Sequence, residues 1–153
     1  TPSSFEYCLI LLSSALEFDV SKNNIMNSLI IDAANEEIYL MLIKNENIYS
    51  ISHENSKTNY EKLTILINDF IKTYNLMIGE ISKLYVNRGP GSFAGIRNSL
   101  SVVKAIFVAK KIEYYCFSFD DFGNLDDKKY ENIPILCDKF KVKKNLIKPI
   151  YLS

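Results

Sequence analysis

The 153-residue sequence has no tryptophan, one histidine, five glycines and four prolines. With His53 as the only histidine, and Cys8, Cys116 and Cys137 widely spaced without a CxxC, zinc ligation finds no support. An odd, sparse set of cysteines reads instead as reduced thiols with packing roles. Charge of either sign is missing in excess, because 18 basic and 18 acidic residues cancel. That balance argues against a protein that grips nucleic acid alone, although a partner subunit can supply the positive surface. No apolar run approaches the roughly 20 residues of a membrane span. The stretch "YCLILLSSALEF" (7–18) has the flavour of a signal peptide, but Glu6 precedes it and no lysine or arginine forms an n-region. A cytoplasmic protein is expected. Met26 stands just before the first convincing strand, so residues 1–26 are expected to form an extension outside the fold.

What is present suffices for one packed domain: 48% of the residues are hydrophobic and no tract is of low complexity. "SLIID" (28–32), "IYLMLIK" (38–44) and "IYSISHE" (48–54) read as strands, the last two joined at "NEN" as a hairpin. Tyr60, Leu63, Ile67, Phe70, Ile71 and Tyr74 then recur at helical spacing, with Asn59 as N-cap. "ISKLYVN" (81–87) reads as a buried strand. A helix over 93–110 follows, with Ser92 as its N-cap, and "IEYYCFSF" (112–119) is a strand again. The order βββαβαβ demands crossovers and a mixed or parallel sheet covered by helices. An opening meander followed by βαβ units is the layout of the ribonuclease-H-like fold of actin-like ATPases, an analogy that licenses no activity by itself. Beyond Phe122 the pattern weakens. "IPILC" (133–137) is expected as one more strand. "KFKVKKNLIK" (139–148) packs five lysines into ten residues, as a solvated strand or hairpin face or as an RNA-facing patch.

On the 93–110 helix, Ile96, Leu100, Val103 and Phe107 fall within roughly 60° of one another, a core-facing stripe. Gly95, Val102, Ala105, Ile106 and Ala109 gather on a second apolar arc. A helix apolar on two faces needs the sheet and one thing more, either the preceding helix or another protein.

The segment "NRGPGSFAGIR" (87–97) joins the strand to this helix. Gly89 and Gly91 supply backbone angles closed to other residues, Pro90 fixes a torsion between them, and Ser92 accepts from the helix's first amides. Anions favour helix N-termini, yet neither GxxxxGK[ST] nor GxGxxG matches, and no lysine follows to reach a terminal phosphate. The chemistry alone favours a structural turn. Asp32 reads as a strand-end carboxylate capping local amides, and Tyr114 and Tyr115 as sheet residues with one end wet. Glu113 and Asp120 show no acid–base spacing.

This loop resembles the "GRGPGSFTGLR" hallmark of the TsaB (YeaZ) family almost residue for residue. "FSFDDF" (117–122) looks like the family's "VSSLxAL", and "KPIYLS" (148–153) like its terminal "PxYLR". The likeness covers roughly 27–122 and the last residues. It departs where the family's "DTS" is Asp32-Ala33-Ala34, where a helix-opening histidine is Asn59, and where most of a second domain is missing after Phe122.

The resemblance implies a ribonuclease-H-like domain over 27–122, with 123–153 a remnant of the second domain and a tail. It also implies a non-catalytic partner of TsaD. TsaD transfers threonylcarbamoyl from its adenylate to N6 of adenosine 37 in tRNAs reading ANN codons, with the ATPase TsaE joining the assembly. No cofactor of its own is implied; ATP or ADP is expected only at the TsaD interface, and tRNA only through the complex. Homodimerisation of the chain alone stays open. Tyr60, Leu66, Arg97, Val102, Ile106 and Ala109 are expected to face the partner, while the loop residues Gly89, Pro90, Gly91, Ser92, Phe93 and Gly95 set the helix angle. On that expectation Ile106→Glu abolishes co-purification with TsaD and spares the fold. Two rivals remain: an independent actin-like ATPase or kinase with Asp32 holding magnesium, and a peptidase using His53 with a serine such as Ser92, or a metal. A generic interaction domain is a third.

Overall fold

All six residues of β1 (Asn27–Asp32) are buried, which is true of no other strand among the described residues. Such a strand must be covered on both faces and paired on both edges. The computed structural model, which describes residues 26–124 and 129–151, places it at the centre of a five-stranded sheet of order β3-β2-β1-β4-β5. β2 (Glu37–Lys44) runs antiparallel to β1, with Leu29 opposite Leu42. It continues into β3 (Asn47–Glu54) through a tight turn in which Asn45 adopts φ 58°. Asn tolerates that left-handed conformation better than most residues, which is why "NEN" makes a hairpin. β4 (Lys83–Asn87) lies parallel to β1, and β5 (Glu113–Phe117) parallel to β4. The sheet is therefore mixed, and each expected strand up to β5 is found within two residues of its expected ends.

The first crossover is two helices where one was expected. Ser56, not Asn59, caps α1 (Lys57–Glu61): its hydroxyl accepts from the Asn59 amide, so the helix starts earlier than the apolar pattern does. The run is interrupted at Lys62, and α2 (Leu63–Thr73) buries Leu63, Ile67, Phe70 and Ile71 against the sheet. α3 (Phe93–Lys110) carries the second crossover. Ser92 caps it by accepting from the Gly95 amide, and Lys111, at φ 58°, ends it in the left-handed conformation common after helix C-termini.

The opposite face is covered by residues after Phe117. Here a correction is needed: 133–137 is no strand but the start of α4 (Ile133–Lys139). Pro134 sits in the first turn, where its missing N–H breaks no helical bond. Ile133, Leu136 and Cys137 then share one face at helical spacing and bury against Ile30, Met41, Tyr85, Phe117 and Phe122. A five-residue apolar run carries too little periodicity to separate the two outcomes. Tyr130, Ile133, Leu136, Cys137 and Val142, all beyond Phe122, thus share a core with the sheet. Cys116 and Cys137 are free and buried, as expected; Cys8 and nearly all of the expected extension lie outside the described residues.

Candidate functional site

Three glycines of the 88–95 turn mark where backbones meet. A Cβ on Gly91 would overlap the Ala34 carbonyl oxygen, and one on Gly95 the Ala33 carbonyl oxygen. The Ser92 amide donates to that same Ala34 oxygen at 2.8 Å. Gly89, at φ 110° before a cis bond to Pro90, lies against the Ile150 carbonyl. Ala33 and Ala34 therefore present main-chain carbonyls, not hydroxyls, to the turn. Tyr60 of α1 fixes the same corner, its hydroxyl 3.1 Å from Ser92 Oγ. At least two of the turn's amides, those of Ser92 and Gly95, are taken by protein oxygens. The loop is a packing device.

Asp32, at the end of β1, is fully buried and saturated. Its Oδ1 accepts from the Ala34 amide at 3.0 Å and its Oδ2 from Asn87 Nδ2 at 3.0 Å; Asn35 Nδ2 approaches both oxygens. Tyr130 donates its hydroxyl to Oδ2 at 2.6 Å and stacks on Tyr39 with ring centroids 4.4 Å apart. Burial, with the neighbouring Asp32 carboxylate, raises the Tyr130 hydroxyl well above its ordinary range, so it stays an O–H donor. The expected amide-capping role of Asp32 is present, with two side-chain amides and a phenol added.

Over this carboxylate opens a cleft of about 1060 Å³ between the ends of β1 and β4, walled by Asn35, Tyr39, Tyr60, Ser92 and Tyr130. Its lining holds two carboxylates, Glu36 and Glu37, and no lysine or arginine among the described residues. Such a cleft repels a polyphosphate. No three His, Cys, Asp or Glu side chains among the described residues come together to hold a metal ion. His53 is half-buried on the edge strand β3.

The expected partner-facing residues separate into two groups. Arg97 and Ala109 are exposed, and Tyr60 and Leu66 half-buried. Val102 and Ile106 are each 1% exposed, inside the cluster that also contains Leu63, Ile67 and Phe70. This corrects the expectation that Val102 and Ile106 face a partner: of the two covers open to the second stripe, it is the preceding helices α1 and α2 of the same chain that take it. Burying two such side chains contributes about 1.5–3 kcal/mol each to the monomer. Outward-facing apolar groups on α3 are instead Phe93 and Val108, 56% and 49% exposed. Among the described residues no helix is long and apolar enough to cross a membrane.

Several residues that build this region gave no sign of it in sequence. Arg88 pairs with Asp121 at 2.6 Å and also donates to the Lys148 carbonyl, so the turn, the end of β5 and the tail are tied together. The Ile150 amide donates to the Arg88 carbonyl, and Gly91 bridges Tyr151, whose ring packs on Phe93. Their partners lie too far off in sequence for local pattern to show.

The architecture defines an α/β domain with a five-stranded mixed sheet, α1–α3 on one face and α4 on the other. YeaZ from Pseudomonas aeruginosa shares this fold, with a TM-score of 0.57 at 19% identity over 61% of this chain and 44% of that one. A second structure, described as an uncharacterized protein with similarity to peptidase YEAZ from Pseudomonas aeruginosa, matches equally, over 61% of this chain and 43% of its own. The match thus spans less than half the length of either. T. thermophilus RuvC in complex with a Holliday junction substrate reaches a TM-score of 0.39 at 9% identity, below the level at which a common fold follows. No protein-family model and no curated protein matches the sequence.

Proposed function

We propose that this chain is a TsaB-type (YeaZ) subunit: a non-catalytic partner of TsaD in forming N6-threonylcarbamoyladenosine at position 37 of tRNAs reading ANN codons. One observation carries the reading. The "NRGPGSFAGIR" segment occupies the β4–α3 junction of a YeaZ-like fold, and its glycines are the positions where backbones touch. Saturation of Asp32 by protein donors and an acidic cleft support a scaffold over an independent ATPase holding magnesium. ATP or ADP would then belong to the TsaD interface, with TsaE and tRNA joining through the complex.

The partner would meet the outer surface of α1–α3, through Tyr60, Leu66, Arg97 and Ala109 with the exposed Phe93 and Val108. Co-expression with TsaD from the same cell tests this. A stable heterodimer that dissociates on Val108→Glu or Ala109→Glu is expected; failure to co-purify with the wild-type chain overturns the reading.

A further inference from the structure

Five lysines lie between 139 and 148 with no acidic residue among them, so the chain's formal neutrality conceals a local excess of positive charge. Lys139, Lys141, Lys143, Lys144 and Lys148 are all exposed. The segment leaves α4, turns at Lys141 (φ 54°), bridges β5 at Tyr115 through Lys144, turns again at Asn145 (φ 59°) and runs back to Arg88. Asn145 clamps it to the sheet, its amide donating to the Tyr114 carbonyl and its Oδ1 accepting from the Tyr114 amide. The lysines are thus held on a fixed edge.

Beside them lies a groove of about 630 Å³ whose rim includes Lys83, Lys141 and Lys144 and whose wall includes Tyr85 and Tyr115. The two rings stack with centroids 5.2 Å apart, and the Lys83 ammonium sits 5.8 Å from the Tyr115 ring. Asp138 lines the groove too, and Glu113 engages Lys144 at 2.8 Å, so Lys141 and Lys83 are the rim's cations without an ion pair among the described residues.

We propose that this edge is an RNA-docking surface: the phosphodiester backbone follows Lys139 to Lys148 and enters the groove at Lys83 and Lys141. Successive phosphates can follow a curved row of lysines, and half-buried Tyr115 offers a ring at its side. A bilayer, being flat, cannot enter a groove; a strand can. The choice of RNA rests on the functional reading above, which gives the chain a tRNA complex to serve.

The test titrates the full chain alone into fluorescently labelled unmodified tRNA and, separately, into phosphatidylserine vesicles. Expected are a Kd of roughly 10–100 μM near 100 mM salt and a log–log salt slope of about −2 to −3, as three or four neutralised phosphates would give. The K141E/K143E/K148E variant, with unchanged circular dichroism, should bind at least ten-fold more weakly with a flatter slope. Absence of tRNA binding, a variant that binds like the wild type, or binding to vesicles but not tRNA overturns the proposal. TsaD is absent from the titration, so a chain that binds tRNA but never TsaD sinks the functional reading alone, and the reverse result sinks this one alone.

Discussion

Tyr130 reaches across 98 positions of sequence to donate its hydroxyl to Asp32 at 2.6 Å. That bond joins the segment after β5 to the end of the central strand, and it occupies the carboxylate to which the rival reading gave magnesium.

Tyr130→Phe removes one of the donors from a fully buried carboxylate. A hydrogen bond to a charged group contributes about 1.5–3 kcal/mol, so the urea midpoint should fall accordingly while the fold persists. An unchanged midpoint would show that Asp32 does not depend on the phenol.

Gly95→Ala offers a test with opposite signs. Alanine inside a helix normally stabilises by about 1 kcal/mol relative to glycine. Here its methyl would overlap the Ala33 carbonyl, and overpacking of this kind costs about 1–3 kcal/mol. Destabilisation is expected in thermal melts. Gly79→Ala is the control, because nothing lies within 4 Å of its added Cβ, and it should be close to neutral.

How much of this was legible beforehand depended on range. The start of α3 could be read because a cap at Ser92 and a glycine turn lie within a few residues of it. β1 could be read because an apolar run ending in Asp needs no partner to be recognised. The helix at Ile133–Lys139 could not, since five apolar residues fit either period. The second stripe of α3 was visible, but not what covers it: a wheel gives the width of an apolar face, and only packing shows that Val102 and Ile106 meet the chain's own helices.

From that burial, Ile106→Glu should unfold the protein, contrary to its use as an interface probe. A carboxylate forced into a site 1% exposed must be desolvated or protonated. Circular dichroism should show loss of structure for Ile106→Glu and none for Ala109→Glu.

Burial pushes the Cys116 and Cys137 thiols from 9.0 up to about 12. Unfolded thiols ionise near 9 while the folded ones keep their protons, so the folded state's advantage is intact below pH 9 and is lost as pH climbs toward 12. The loss should be on the order of 1 kcal/mol per pH unit per thiol. Urea midpoints at pH 8, 9 and 10 should fall, and fall less steeply in Cys116→Ala/Cys137→Ala. A flat wild-type profile would contradict the assignment.

The most direct measurement is threonylcarbamoyl transfer to tRNA by purified TsaD and TsaE, with and without this chain. Modification that rises sharply on adding the wild-type chain, and fails to rise with Val108→Glu, is the predicted result. TsaD activity indifferent to the chain at any ratio would contradict it.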